Sequence, residues 1–278
     1  MWKQKLCIST ANFFGLSIEE QIRMFANAGF DAFFTGWKYG DPVAEWKKIG
    51  EECGLFYQSL HAPFDKAEIM WTEGEKADAA VEELCACLQA CADNGIGIMV
   101  AHAFKGFKDH SPNEHGIRNY GKVADEAARL GVTLALENTE GEEYLAALMD
   151  AFKDRPEVKF CWDTGHEQCY NHGKDMTALY GDRLAATHLN DNLGISRFDG
   201  ETYWTDDLHL LPFDGITDWQ SVASRLDACG FDDFLTFELT VVSKPKRHEN
   251  DCYAAMPPEQ YFAEAYKRAC RIAAMRKL

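Results

Sequence analysis

The stretch FCWDTGHEQCY, Phe160 to Tyr170, decides how this chain is read. An apolar run, VKFCW, stops at Asp163, and an imidazole follows three residues later at His166. Asp163 can be the N-cap of a short helix, with His166 at the surface. Alternatively, both side chains project into a site at the end of a buried strand. The rest of the chain separates these readings.

Working outward from VKFCWD (158–163), seven more short apolar runs read as strands. They are KLCIS (5–9), FDAFFTG (30–36), FYQSLHA (56–62), GIMVAHAF (97–104), VTLALEN (132–138), AATHLND (185–191) and FLTFEL (234–239). Helical stretches lie between them. SIEEQIRMFANAG opens with Ser17 and carries Glu20 three residues on, the pattern of a capping box. EKADAAVEELCACLQACADNG stops at Gly95, and NEHGIRNYGKVADEAARLG stops at Gly131. Alternating strands and helices imply right-handed βαβ units and a parallel sheet. Eight units without a break predict an α/β fold, a single (β/α)8 TIM barrel occupying residues 1–278 as one domain. An open doubly wound sheet is the alternative, but no G-x-G-x-x-G follows the first strand. The longest irregular stretches, about 192–217 and 241–256, follow strands seven and eight and should share one face of the barrel.

Composition narrows the function. The 278 residues are 46% hydrophobic, enough for a sizeable core. No apolar run reaches the roughly 18–20 residues of a membrane span. The segment MWKQKLCIST shows no signal-peptide apolar core, so a cytoplasmic location is expected. The net charge of −17 argues against nucleic acid and anionic membranes as partners, because a protein that grips a phosphate backbone presents a basic face. The ten cysteines are scattered and form no C-x-x-C pair, so they read as reduced thiols.

Polar residues recur at the strand ends. Strand three ends in His61, strand four in His102, strand five in Glu137 and strand six in Asp163, with His166 just beyond. Strand seven carries His188 and ends near Asp191, strand eight contains Glu238, and the loop DDLHLLPFDG adds Asp207 and His209. In a barrel these ends converge on one mouth. Glu137, Asp163, His188 and Glu238 would then form a ring whose carboxylates repel one another unless a cation sits among them. Hard oxygen donors with one imidazole suit Mn²⁺, Mg²⁺, Co²⁺ or Zn²⁺. Five of the nine histidines fall in this set. His110, His115, His172 and His248 lie in loops or polar stretches and receive no role.

The ordered segments SLHAPF, VAHAF, LALEN, WDTGH, THLND, DLHLLPFDG and TFEL resemble the xylose-isomerase-like TIM-barrel superfamily over nearly the whole chain. This superfamily groups sugar isomerases and epimerases with endonuclease IV-type enzymes. The resemblance to ketose 3-epimerases implies one divalent ion, Mn²⁺ foremost, held by Glu137, Asp163, His188 and Glu238. The resemblance to endonuclease IV implies that His61, His102, His166, Asp207 and His209 are additional ligands in a three-zinc site. Epimerases carry an arginine a few residues after the strand-seven histidine, whereas here Arg197 lies nine residues beyond His188.

The function implied is a sugar isomerase or epimerase that moves a proton next to a carbonyl through a metal-stabilised enediolate. Glu137 and Glu238 would be the acid–base pair, and His61, His102 and His166 would contact a small sugar or polyol. Alternatives are a multi-zinc phosphodiester hydrolase of the endonuclease IV type, a two-metal hydride-shift aldose–ketose isomerase, and a non-catalytic sugar binder. A homo-oligomer is left open. Phe13, Phe14, Trp37, Phe64, Trp71 and Phe104, at or just after strand ends, could stack on a sugar. SKPKRHEND (243–251) offers Lys244, Lys246, Arg247 and His248 to a phosphate, but equally fits a surface turn, so an unphosphorylated sugar or polyol is expected.

Overall fold

All eight expected strands form in a computed structural model of the chain, which describes residues 4–108, 111–197 and 200–277; His110 lies outside these. The strands are β1 (Leu6–Ser9), β2 (Ala32–Gly36), β3 (Phe56–His61), β4 (Ile98–His102), β5 (Thr133–Glu137), β6 (Val158–Asp163), β7 (Leu184–His188) and β8 (Leu235–Phe237). They are parallel, in the order β7-β6-β5-β4-β3-β2-β1-β8. Leu189 bridges the outer two: its N–H donates to Thr236 O at 2.7 Å, and its carbonyl accepts from Glu238 N at 3.2 Å. The sheet is thus a nearly closed (β/α)8 barrel.

Among the described residues the helices are α1 (Ile18–Ala28), α2 (Val43–Glu52), α3 (Glu75–Asp93), α4 (Glu114–Leu130), α5 (Glu142–Ala151), α6 (Thr164–Cys169), α7 (Met176–Tyr180), α8 (Trp219–Ala228), α9 (Asp251–Ala254) and α10 (Pro258–Ala273). The start and stop signals act as their chemistry requires. Ser17 Oγ accepts from Glu20 N while Glu20 returns a carboxylate oxygen to Ser17 N, and α1 ends where Gly29 turns left-handed at φ 108°. α4 ends the same way at Gly131, φ 68°.

Most strands are shorter than the sequence suggests, and at two of them this moves a polar residue past the strand end. β7 stops at His188 and β8 at Phe237, so Asp191 and Glu238 lie beyond their strands. The cause at Asp191 is local. Its buried carboxylate accepts from Asn192 N, Phe213 N, Thr217 N and Trp219 Nε1 at 2.8–3.0 Å. It therefore pins the loop after β7 against the barrel instead of extending the strand.

Side chains alternate along each strand, and this sets the layers inside the barrel. Val100, Ala135, Cys161 and Ala186 pack together as a buried layer. Two residues further on, on the same faces, stand His102, Glu137, Asp163 and His188. A plug of small side chains thus carries polar residues on its upper surface. Outward-facing Leu134, Leu136, Phe160 and Trp162 bury their bulk in the main core, against the helices.

Candidate metal centre

Strand register brings the polar ends together. His102 pairs with Glu137 across β4 and β5, and Asp163 pairs with His188 across β6 and β7. Glu137 is fully buried, with Oε1 at 2.9 Å from His188 Nδ1 and Oε2 at 3.2 Å and 3.3 Å from the Nε2 atoms of His61 and His102. His188 Nδ1 also lies 3.3 Å from Glu238 Oε2, and Phe34 stacks flat on the same imidazole at 4.8 Å. One donor atom each from Glu137, Asp163, His188 and Glu238 falls within 4.8 Å of all the others. An ion bound at about 2.0–2.2 Å needs donors no more than about 4.4 Å apart, so a small closure lets these four hold one.

Asp163 answers the question its sequence raised: the N-cap reading holds for Asp163, but the surface reading of His166 does not. It is the N-cap of α6, accepting from His166 N at 2.7 Å. It also faces the ring, and His166 is buried rather than at the surface. Asparagines that sequence reasoning passed over hold it in place. Asn190 Nδ2 donates to Asp163 Oδ2 at 2.9 Å, and Asn138 exchanges two hydrogen bonds with the Asp163 backbone. A Cβ on Gly165 would stand 1.9 Å from Asn190 Oδ1, which explains the glycine in DTGH.

Four further groups meet the same distance test, and two of them bring in the additional histidines without His188. One is His61, His102 and Glu137, and the other is His166, Asp207 and His209. His61, His166 and His209 each donate Nδ1–H to a backbone carbonyl, of Ala62, Asn138 and Glu238 respectively, at 2.9–3.1 Å. That anchorage turns each Nε2 lone pair towards the site.

Among the described residues, every basic group within ion-pair distance of Glu137, Asp163 or Glu238 is a histidine. Burial opposes ionisation of Glu137, but His188, His102 and His61 outweigh it and hold the carboxyl well below the usual range. Burial opposes it at Glu238 too, yet His188 and His209 bring that group down to about 2. At Asp163 burial prevails. Together with the Glu137 and Glu238 charges, it pushes the carboxyl up to about 6, against His166 and His209. A ring that forces one carboxyl towards its proton is short of positive charge. Burial pushes the Cys161 thiol up to about 12, so the residue beneath the ring stays a neutral part of the plug.

A cavity of about 460 Å³ opens over these groups. Glu238, His166, His61, His102, Asp207 and His209 line its floor, with Phe64, Lys105, Glu140, Tyr170, Trp204 and Lys244 around them. The Glu238 side chain keeps 24% of its surface open, whereas Glu137 and Asp163 are sealed. Of the aromatics considered, Phe64 lines this cavity and Trp37 an adjoining lobe. Phe13 packs on Tyr261 and Phe262, Trp71 donates to Ala103 O, and Phe104 stacks on Tyr144; all three are buried in packing between elements. Phe14 packs on Tyr261. The basic stretch also divides. Arg247 is held by Asp206 and Glu249, and His248 by Asp251, while Lys244 turns into the cavity. Arg197 is engaged with Glu201 and Tyr203.

Fold and ring together describe a barrel with a cation-ready mouth, and the chain belongs to the xylose isomerase-like TIM barrel family, whose profile matches residues 22–272. No curated protein matches the chain. Among solved structures, a D-psicose 3-epimerase from Clostridium cellulolyticum H10, crystallised with D-tagatose, superposes with a TM-score of 0.74 at 15% identity, covering 98% of each chain. A 3-keto-D-glucoside 4-epimerase from E. coli gives 0.64 at 19% identity, over 91% of this chain and 98% of that one. A fusion of a xylose isomerase-like TIM barrel with a 4-hydroxyphenylpyruvate dioxygenase gives 0.72 at 15% identity. This chain is covered over 96% of its length but spans only 42% of the fusion. At such identities the likeness establishes the fold. Among the described residues no helix is long and apolar enough to cross a membrane.

Proposed function

We propose that the protein is a divalent-metal-dependent sugar isomerase or epimerase that transfers a proton next to a carbonyl. The observation that carries this is the ring of three carboxylates and one imidazole, without a lysine or arginine partner among the described residues, which reaches a cavity at the strands' C-terminal ends through Glu238. A cation held by Glu137, Asp163, His188 and Glu238 would supply Lewis-acid stabilisation of charge developing on a substrate oxygen. Mn²⁺ suits this donor set, as do Co²⁺, Mg²⁺ and Zn²⁺.

The chain's own residues would do the rest. Glu238, reached from the cavity, takes or returns the proton at the reacting carbon. Glu137, whose Oε1 meets the same His188 Nδ1 as Glu238 Oε2, would be its counterpart. His166 Nε2 faces a substrate oxygen, and His61 and His102 form the opposite wall. Phe64 and Trp204 offer ring faces to sugar C–H groups, while Lys105, Glu140 and Lys244 offer polar atoms to hydroxyls. The structural neighbours act on ketoses and a keto-glucoside, in agreement with this reading. The test combines metal analysis of the purified protein with ketose turnover in D₂O. One ion together with deuterium at the reacting carbon is expected. Turnover without solvent label would replace proton transfer by hydride shift.

The second reading is the multi-zinc phosphodiester hydrolase, favoured by the His166–Asp207–His209 and His61–His102–Glu137 groups. Nicking of abasic duplex DNA by protein loaded with zinc would establish it.

A further inference from the structure

The His166–Asp207–His209 group differs from the ring in one respect: a cation is already built into it. Lys244, on the loop after β8, places Nζ 3.1 Å from Asp207 Oδ2. The ammonium also sits 5.8 Å from the centre of the Trp204 ring, so an aromatic face steadies it from a second side. Its side chain is 22% exposed and lines the same cavity as the three residues. The Asp207 carboxylate therefore already has a cation beside it, the Lys244 ammonium on Oδ2. The ring has three carboxylates and, among the described residues, no such partner.

We infer that the Lys244 ammonium is the resident cation of the His166–Asp207–His209 group and keeps a second metal ion out of it. The donor geometry is otherwise fit for an ion, since the ligand atoms lie within 4.8 Å and the Nε2 atoms of both histidines are turned inward. A divalent ion bound to Asp207 would face the ammonium across a single carboxylate, where like charges repel strongly at low dielectric. The lysine, not the shape of the group, decides its occupancy. This makes the chain an enzyme whose sequence carries a multi-metal donor set but whose charges admit fewer ions than the donors could bind. The inference builds on the ring reading proposed above, but its test stands apart from that reading.

The experiment is a difference measurement of metal stoichiometry. The full-length protein is stripped with chelator, reloaded with Zn²⁺, passed through a desalting column and counted by elemental analysis. Thermal melts accompany each sample to confirm folding. Lys244→Met, which keeps the stem and removes the charge, should hold one more zinc per chain than the wild type. The extra ion should vanish in Lys244→Met combined with His209→Ala. Lys244→Arg, which keeps the charge, should hold the wild-type number. His209→Ala alone should leave the wild-type count unchanged. Equal counts in Lys244→Met and wild type would overturn the inference, as would a wild-type ion that His209→Ala removes. Failure of the ring reading looks different. It would appear as a wild-type count that Glu137→Gln does not lower, and the gain on Lys244→Met would still decide the role of the lysine.

Discussion

Asp163 and Glu167 stand four residues apart, both buried and both acidic, and their surroundings are opposite. Glu167 is fully matched. Arg225 on α8 meets its two oxygens at 2.7 Å each, while Trp162 Nε1 and Met176 N donate to Oε2. Asp175 holds the same guanidinium from the other side, and the Trp162 ring lies beneath it at 4.3 Å. Asp163 faces two more carboxylates and has only amides and imidazoles to answer them. One turn of helix thus separates a carboxylate whose charge is cancelled from one whose charge is left over. The first binds α6 to α8 and serves the scaffold. The second is what a binding site for a cation requires.

The contrast can be broken at either end. The largest effect is expected at Glu137→Gln. Bound metal and ketose turnover should both fall to background, and the metal-free protein should melt lower than its parent, because three imidazoles lose the carboxylate that pairs with them. A folded Glu137→Gln protein with full metal content and full turnover would end the assignment. Arg225→Ala should cost stability without costing the metal. It leaves Glu167 buried and unpaired, so urea denaturation should show a loss of about 3–5 kcal/mol, while the protein that remains folded keeps its ion.

Asn190→Ala sharpens the comparison from inside the ring. It removes a donor to Asp163 without removing a ligand, and supporting partners of this kind are worth about 10–100-fold in metal affinity. Titration with Co²⁺ or Mn²⁺ would read that shift, and unchanged affinity would show that Asp163 needs no such support. The smallest effect belongs to charges that water can reach. Lys122 and Asp78 form an open pair at 3.0 Å, and Lys122→Ala should alter stability by no more than about 0.5 kcal/mol in the same denaturation assay.

The eight strands and the position of the ring were readable in the sequence because both depend on periodicity. Apolar runs such as VTLALE and VKFCWD end in acids, and in a barrel every such end faces the mouth. Where the strands stop was less readable. Asp191 looks like one more polar strand end, but Asn192 N, two loop amides and the Trp219 indole capture it, and the last three come from 22 to 28 residues away. Asn190, Asn138 and Gly165 went unread for the same reason: each matters through a neighbour remote in sequence. The cationic run around Lys244 was visible as composition only. Its division into a lysine turned inward and an arginine locked to Asp206 and Glu249 depends on how the loop folds. The aromatics show the limit of position as a guide, since Phe64 reaches the cavity and Phe104 is packed against Tyr144.

The small-residue plug of Val100, Ala135, Cys161 and Ala186 imposes an order of events. It closes the barrel below the ring, and Phe34 covers His188 from the side. On the proposed function, an incoming ion and an incoming sugar would share one doorway, past Glu238 and His166. The ion would lodge deeper, so it would arrive first and leave last, and a bound sugar would act as its stopper. Chelators should strip the resting protein far faster than the protein held at saturating ketose.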